Sequence, residues 1–258
     1  MNTFVRHILP ITYFQATRLN RWDLVAYNGL VEWLPALGLS YFYNGLEIAI
    51  LGKVALSYLA FISVYEVGYI TNDVFSERFE TKPRGRAEEI AVSTFSAAGL
   101  IGARLIYFLF FTYILGAWSS TLWWTFYATL AVTFALHNCL PSEFRIATFF
   151  GLSTFRFFAP IILTLGTPVL TILLPTILLN NSLYRMSVYL GNKGDVVSAD
   201  RQNVRFKFAF YAGCFPLSIL FSFFFSSILP ALVCGYFLLV WVIYWLASEY
   251  RKKGQVLS

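Results

Sequence analysis

Charge is scarce in this chain. Of 258 residues, only 12% are Asp, Glu, Lys or Arg, about half the share in an ordinary soluble domain. So little charge excludes a solvated surface of normal polarity. Cysteine is scarce too: Cys139, Cys214 and Cys234 each lie in an apolar run, and no two form a CxxC pair. That spacing argues against a thiolate metal site and reads as buried thiols. No cleavable leader is expected, because the first twenty residues carry Arg6, His7 and Arg18 without an uninterrupted apolar core. No internal repeat, low-complexity segment or soluble domain is evident.

What is abundant is apolar and aromatic. Hydrophobic residues make up 58% of the chain and aromatic ones 19%, with a mean hydropathy of +0.66. The solvent such a chain calls for is lipid. The expected fold is therefore all-α, a polytopic membrane bundle forming one integral membrane domain over residues 1–258. A crossing helix needs roughly 20 apolar residues. Apolar runs between polar breaks predict eight spans, at about 24–43, 48–70, 90–117, 121–140, 146–166, 168–190, 207–228 and 229–248. Gly166-Thr167-Pro168 and Leu229-Pro230 predict tight hairpins, since proline sets a turn and starts the next helix.

The basic residues give this layout an orientation. With the loops numbered alternately, 15 of the 19 Lys and Arg fall on the side that holds both termini. Lys53 is the one basic residue near the other side, and Arg104, Arg156 and Arg185 lie within spans. The positive-inside rule then puts both termini in the cytoplasm, and a multi-pass protein of a bacterial inner membrane is the expectation. The net charge of +6 reflects topology and anionic headgroups rather than nucleic acid.

Two charged loops on that side carry candidate chemistry, at about 71–89 and 190–206. In the first, Asp73, Glu77 and Glu80 stand at i, i+4 and i+7, so on a helix the three carboxylates share one face. They repel unless a cation compensates. Lys82, Arg84 and Arg86 follow. The second loop brings Lys193, Asp195, Asp200, Arg201 and Arg205, with Arg185 at the end of the preceding span. Carboxylates that hold Mg²⁺ beside Lys and Arg that clamp phosphate oxygens suit a diphosphate ligand. The alternative is that both loops are simply solvated. Glu32, Glu66, Arg104, Arg156 and Arg185 are ionisable groups inside spans, which calls for partners or a functional role. Glu66 lies seven residues before Asp73 and extends the same face deeper.

Asn72-Asp73 at the end of the second span, with acids and then Lys82-Pro83-Arg84 and Arg86, resembles the first aspartate-rich motif of the UbiA superfamily of intramembrane prenyltransferases. That motif reads N-D-x-x-D-x-x-x-D. Ser76 stands where its second acid belongs, Glu77 follows by one residue, and Glu80 stands at its third. The segment from Arg18 to Leu37 resembles the family's Arg-rich approach to the first helix. Arg156 resembles the arginine often found in the fifth. Asp195 and Asp200 stand where the family keeps a second motif, D-x-x-x-D, but they are five apart rather than four.

The resemblance implies a transferase that moves a prenyl or related group from a diphosphate donor to a small-molecule acceptor. Asn72, Asp73, Glu77, Glu80, Asp195 and Asp200 would form the catalytic set, with Mg²⁺ on Asp73, Glu77 and Glu80. Lys82, Arg84, Arg86, Arg156, Arg185, Lys193 and Arg201 would bind substrate. The alternatives are a UbiA-like lipid-binding or assembly subunit without chemistry, a polyprenyl-phosphate phosphoribosyltransferase, and a small-solute transporter. The expected partners are prenyl or polyprenyl (di)phosphate and membrane lipids, and no nucleic acid.

Overall fold

The computed structural model describes residues 3–19, 21–76, 92–141, 144–193, 199 and 203–256. Among them the chain is all-helical, with no strand. It divides into two compact units, residues 1–165 and 166–258.

The first unit begins with two short helices, α1 (Thr3–Arg6) and α2 (Thr12–Arg18). A continuous helical stretch follows: α3 (Trp22–Asn28), a π turn over Gly29–Trp33, and α4 (Leu34–Asn44). Pro35 accounts for the wide turn, because its ring crowds the carbonyl one turn back and it offers no N–H to that carbonyl. Gly45, at φ +82°, ends α4 in a conformation that favours glycine. Next comes α5 (Ile48–Thr71), extended by a second π turn over Asn72–Ser76. The unit closes with α6 (Thr94–Ile114), α7 (Thr121–Cys139) and α8 (Arg145–Phe158). Ser93 and Ser120 cap α6 and α7, their hydroxyls accepting from the backbone N–H of Ser96 and Trp123 at 3.2 Å.

The centre of this unit is α5, which packs on α4, α6 and α7. Phe61, Tyr65 and Tyr69 recur at helical spacing along it, with successive ring centroids 4.7 and 4.9 Å apart. Phe134 of α7 stands edge-on to Tyr65 at 4.7 Å. That ring lies directly over Gly68, where a Cβ would come within 2.2 Å of it. The Asn138 amide donates to the Gly68 carbonyl at 3.2 Å, tying the two helices at this contact.

The second unit comprises α9 (Thr167–Ile177), a π turn over Leu178–Leu183, α10 (Tyr184–Lys193), α11 (Val204–Phe224) and α12 (Leu229–Val256). The hairpin expected at Leu229-Pro230 is present, and α11 and α12 run antiparallel. Tyr211 stacks on Phe237 at 5.3 Å, and the Cys234 thiol donates to the Tyr211 carbonyl at 3.7 Å.

Five helical stretches among the described residues are long and apolar enough to cross a membrane: 48–76, 94–114, 167–191, 204–224 and 229–247. They match five of the eight expected spans. The remaining three are helical but fall short, for different reasons. Residues 22–44 carry Asp23 and Glu32 among tyrosines, asparagines and glycines that lower their hydropathy. Tryptophan, tyrosine, threonine, His137 and Asn138 dilute α7. Helix α8 has only 14 residues before the chain turns at Pro160.

The contact at Gly68 makes a sharp prediction. Phe134 is hemmed in by Tyr65 and Tyr69 and has no room to swing aside. Gly68→Ala should therefore destabilise the protein by about 1–3 kcal/mol, read as a lower melting temperature in detergent. Adding Phe134→Leu should restore part of the loss.

Candidate functional site

At the end of α5, the Asp73 carboxylate is buried and fully engaged. Arg18 of α2 grips it with two parallel hydrogen bonds, Nη1 to Oδ2 at 2.9 Å and Nη2 to Oδ1 at 2.8 Å. The Tyr13 hydroxyl donates to Oδ2 at 3.0 Å, and the Asn72 amide reaches Oδ1 at 3.4 Å. A carboxylate has about four lone-pair sites, and four donors fill them. Arg18 also lies over the Tyr69 ring, 4.3 Å from its centroid. Burial opposes its charge, but the hydrogen bonds and charge of Asp73 outweigh burial and hold Arg18 above its ordinary pKa. Beside it, Asn72 Oδ1 is buried with no partner among the described residues.

Two turns back along the same face, Glu66 is wholly buried. It accepts the backbone N–H of Ile11 at 3.2 Å and that of Phe14 at 2.6 Å, two of the amides that a helix N-terminus leaves unpaired. Arg104 of α6, equally buried, donates Nε to Glu66. Its other nitrogens donate to the carbonyls of Ile8 and, at 2.6 Å, His7. One ion pair thus satisfies four backbone groups of the segment from His7 to Phe14 and fixes α2 against α5 and α6.

A third buried pair completes the set. Arg156 of α8 holds Glu32 at 2.7 Å and donates to Asn28 Oδ1. Its guanidinium lies 4.9 Å from the Phe14 ring centroid and 5.9 Å from that of Tyr65. Phe14 in turn stacks on Tyr69 at 5.8 Å. Arginines 18 and 156 therefore flank one aromatic cluster built on α2 and α5.

The residues expected to carry chemistry fare differently. Asp73 and Glu66 do share a face of α5, and both bind α2. Asn72 and Asp73 lie in the helical extension rather than in a loop. The common face expected of Asp73, Glu77 and Glu80 lies outside the described residues from Glu77 onward. Arg156 pairs with Glu32 and Arg104 with Glu66. In the second unit, Arg185 lies near the start of α10 and donates Nε to Asn181 at 3.2 Å. The helix continues to Lys193, whose side chain lies outside the described residues, as do Glu77, Glu80, Lys82, Arg84, Arg86, Asp195, Asp200 and Arg201. Sequence reasoning overlooked Tyr13, Phe14 and Arg18 as partners of the acids. The available signal was an arginine at i+4 from a phenylalanine, opposite acids seven residues apart on α5.

As arranged, the Asp73 carboxylate has no open lone pair for a magnesium ion, and a metal ligand there requires Arg18 or Tyr13 to let go. No group of three His, Cys, Asp or Glu side chains suited to a metal occurs among the described residues. Comparison with protein-family models, with curated proteins and with solved structures returned no match to this chain.

Breaking one partner of the deepest pair should be costly. Arg104→Met leaves Glu66 buried without its counter-ion and the His7 and Ile8 carbonyls without their donor, and should lower stability by about 3–5 kcal/mol. Pairing it with Glu66→Gln should recover part of that in detergent melting curves.

His7 gives stability a pH dependence. Burial lowers its pKa from 6.5; a hydrogen bond at the Thr12 backbone opposes this, while Arg6 and Arg104 add to it. Between the lowered folded value and 6.5, the unfolded state binds more protons. Stability should therefore fall as pH drops below about 6.5 and level off below the folded value. His7→Gln should flatten that part of the profile.

Proposed function

We propose that this chain is a UbiA-like membrane transferase that moves a prenyl or related group from a diphosphate donor to an acceptor at the Asn72-Asp73 end of α5. One observation carries this reading: the Arg18 guanidinium beside Asp73 rests on the face of Tyr69, and Arg156 rests on Phe14 and Tyr65 of the same aromatic cluster. Rings that hold a cation at 4–6 Å suit a positively charged carbon as well, and Arg18 and Arg156 are the groups a diphosphate would seek. In the reaction, the bond from the allylic carbon to the diphosphate oxygen breaks and its electron pair leaves with the diphosphate. The acceptor's lone pair then forms the new bond, and its proton is lost. The aromatic cluster excludes water that would otherwise capture the cation. The magnesium expectation rests on Glu77 and Glu80, since Asp73 is closed by Arg18. The reading keeps eight crossings, with 22–44, α7 and the stretch that begins with α8 as the three outside the five long apolar helices, and both termini in the cytoplasm.

A second reading, lipid binding without turnover, is favoured by the complete satisfaction of Asp73 by internal donors. One experiment separates the two. Purified protein is given radiolabelled prenyl diphosphates of several lengths and an acceptor panel, with magnesium or with chelator. The transferase reading expects product from wild type and a loss of about 100-fold or more in Asp73→Asn. Donor binding without product, unaffected by chelator, supports the binding subunit. If the donors neither bind nor react, both readings fall.

A further inference from the structure

Helix α2 has two working faces. Tyr13, Phe14 and Arg18 hold the acids of α5, as described. Thr12, Gln15, Ala16 and Leu19, at i, i+3, i+4 and i+7, line a cavity of about 460 Å³ on its other side. That volume lies within the range of small-ligand sites, roughly 300–1,000 Å³.

The rest of the lining is basic and aromatic. Arg6, His7 and Arg21 line it together with Trp22 and Val25. Arg21 also pairs with Asp23 at 3.0 Å, and both side chains remain exposed. His7 is only 7% exposed, and its Nδ1 has no partner among the described residues. A buried ring nitrogen in a cavity wall calls for a polar partner. Trp22, by contrast, is 86% exposed, as suits a ring at a membrane surface. None of these residues belongs to the five long apolar helices.

We propose that this cavity binds a phosphomonoester headgroup of a membrane lipid. Arg6 and Arg21 hold its oxygens, His7 meets it from the wall, and the chain leaves along Leu19, Trp22 and Val25. The apolar half of the lining favours a lipid over free phosphate. This site lies on the opposite face of α2 from Asp73 and does not depend on the transferase reading.

The test uses the full chain in phosphatidylcholine nanodiscs with or without phosphatidic acid, followed by thermal unfolding and by counting bound lipid with native mass spectrometry. Phosphatidic acid should raise the melting temperature of wild type. The double variant Arg6→Gln/Arg21→Gln should weaken its binding roughly tenfold or more, and His7→Phe about tenfold. Arg6→Lys/Arg21→Lys should retain most of it. Lys252→Gln/Lys253→Gln removes equal charge elsewhere and should change nothing. A matching rise with inorganic phosphate in plain phosphatidylcholine supports the oxyanion site and assigns it to a soluble ligand. If phosphatidic acid and phosphatidylcholine act alike, or if the Lys252/Lys253 variant loses as much as the Arg6/Arg21 variant, the proposal is overturned. Equal melting of all variants in plain phosphatidylcholine verifies that they fold.

Discussion

Glu66 and Arg104 are both fully removed from solvent, and neither is tolerable there alone. A lone buried charge costs several kcal/mol even after relaxation, so each makes the other necessary. Their remaining hydrogen-bonding capacity must also be met, and among the described residues the backbone of the segment from His7 to Phe14 meets it. The N-terminal segment is therefore no appendage. Its amides and carbonyls complete the coordination of the pair, and the pair in turn fixes where α2 lies. Everything at the end of α5 depends on that placement. Tyr13 and Arg18 reach Asp73 because α2 starts at Glu66, and Phe14 meets Arg156 and Tyr69 for the same reason.

Much of the scaffold could be read from hydropathy alone, because runs such as 48–70 and 229–248 are long, apolar and bounded by polar breaks. The pairing of interior charges was readable only as a possibility. Glu32, Glu66, Arg104 and Arg156 announce that partners are needed, but linear spacing does not say which acid takes which arginine. That choice is made by helices far apart in sequence: Arg156 reaches back 128 residues to Asn28. The role of α2 was harder still to read. Seven residues with mixed polarity carry no strong periodic signal, and their position is set by buried charges elsewhere rather than by their own amphipathicity. The π turns at Gly29–Trp33 and Asn72–Ser76 were invisible for a related reason. They shift side chains by part of a turn, which a reading in steps of 3.6 residues passes over.

The three ion pairs also constrain what the site would accept. Arg18, Arg104 and Arg156 each face a carboxylate, so this interior offers an incoming anion little uncompensated positive charge. A ligand must exchange with an internal acid. A monovalent carboxylate gains nothing by replacing Asp73 on Arg18, since the new pair has the same charge and geometry as the old. It would also leave Asp73 buried and unpaired. A diphosphate carries more charge and more acceptor oxygens than a carboxylate, and on the proposed reading these are what would draw Arg18 away from Asp73. Arg18 is the better candidate for such exchange. It satisfies one acid and one ring face, whereas Arg104 is locked by two carbonyls as well as Glu66. The deeper pair is therefore structure, and on the proposed reading Arg18 is the group a diphosphate would have to draw off Asp73 at the end of α5.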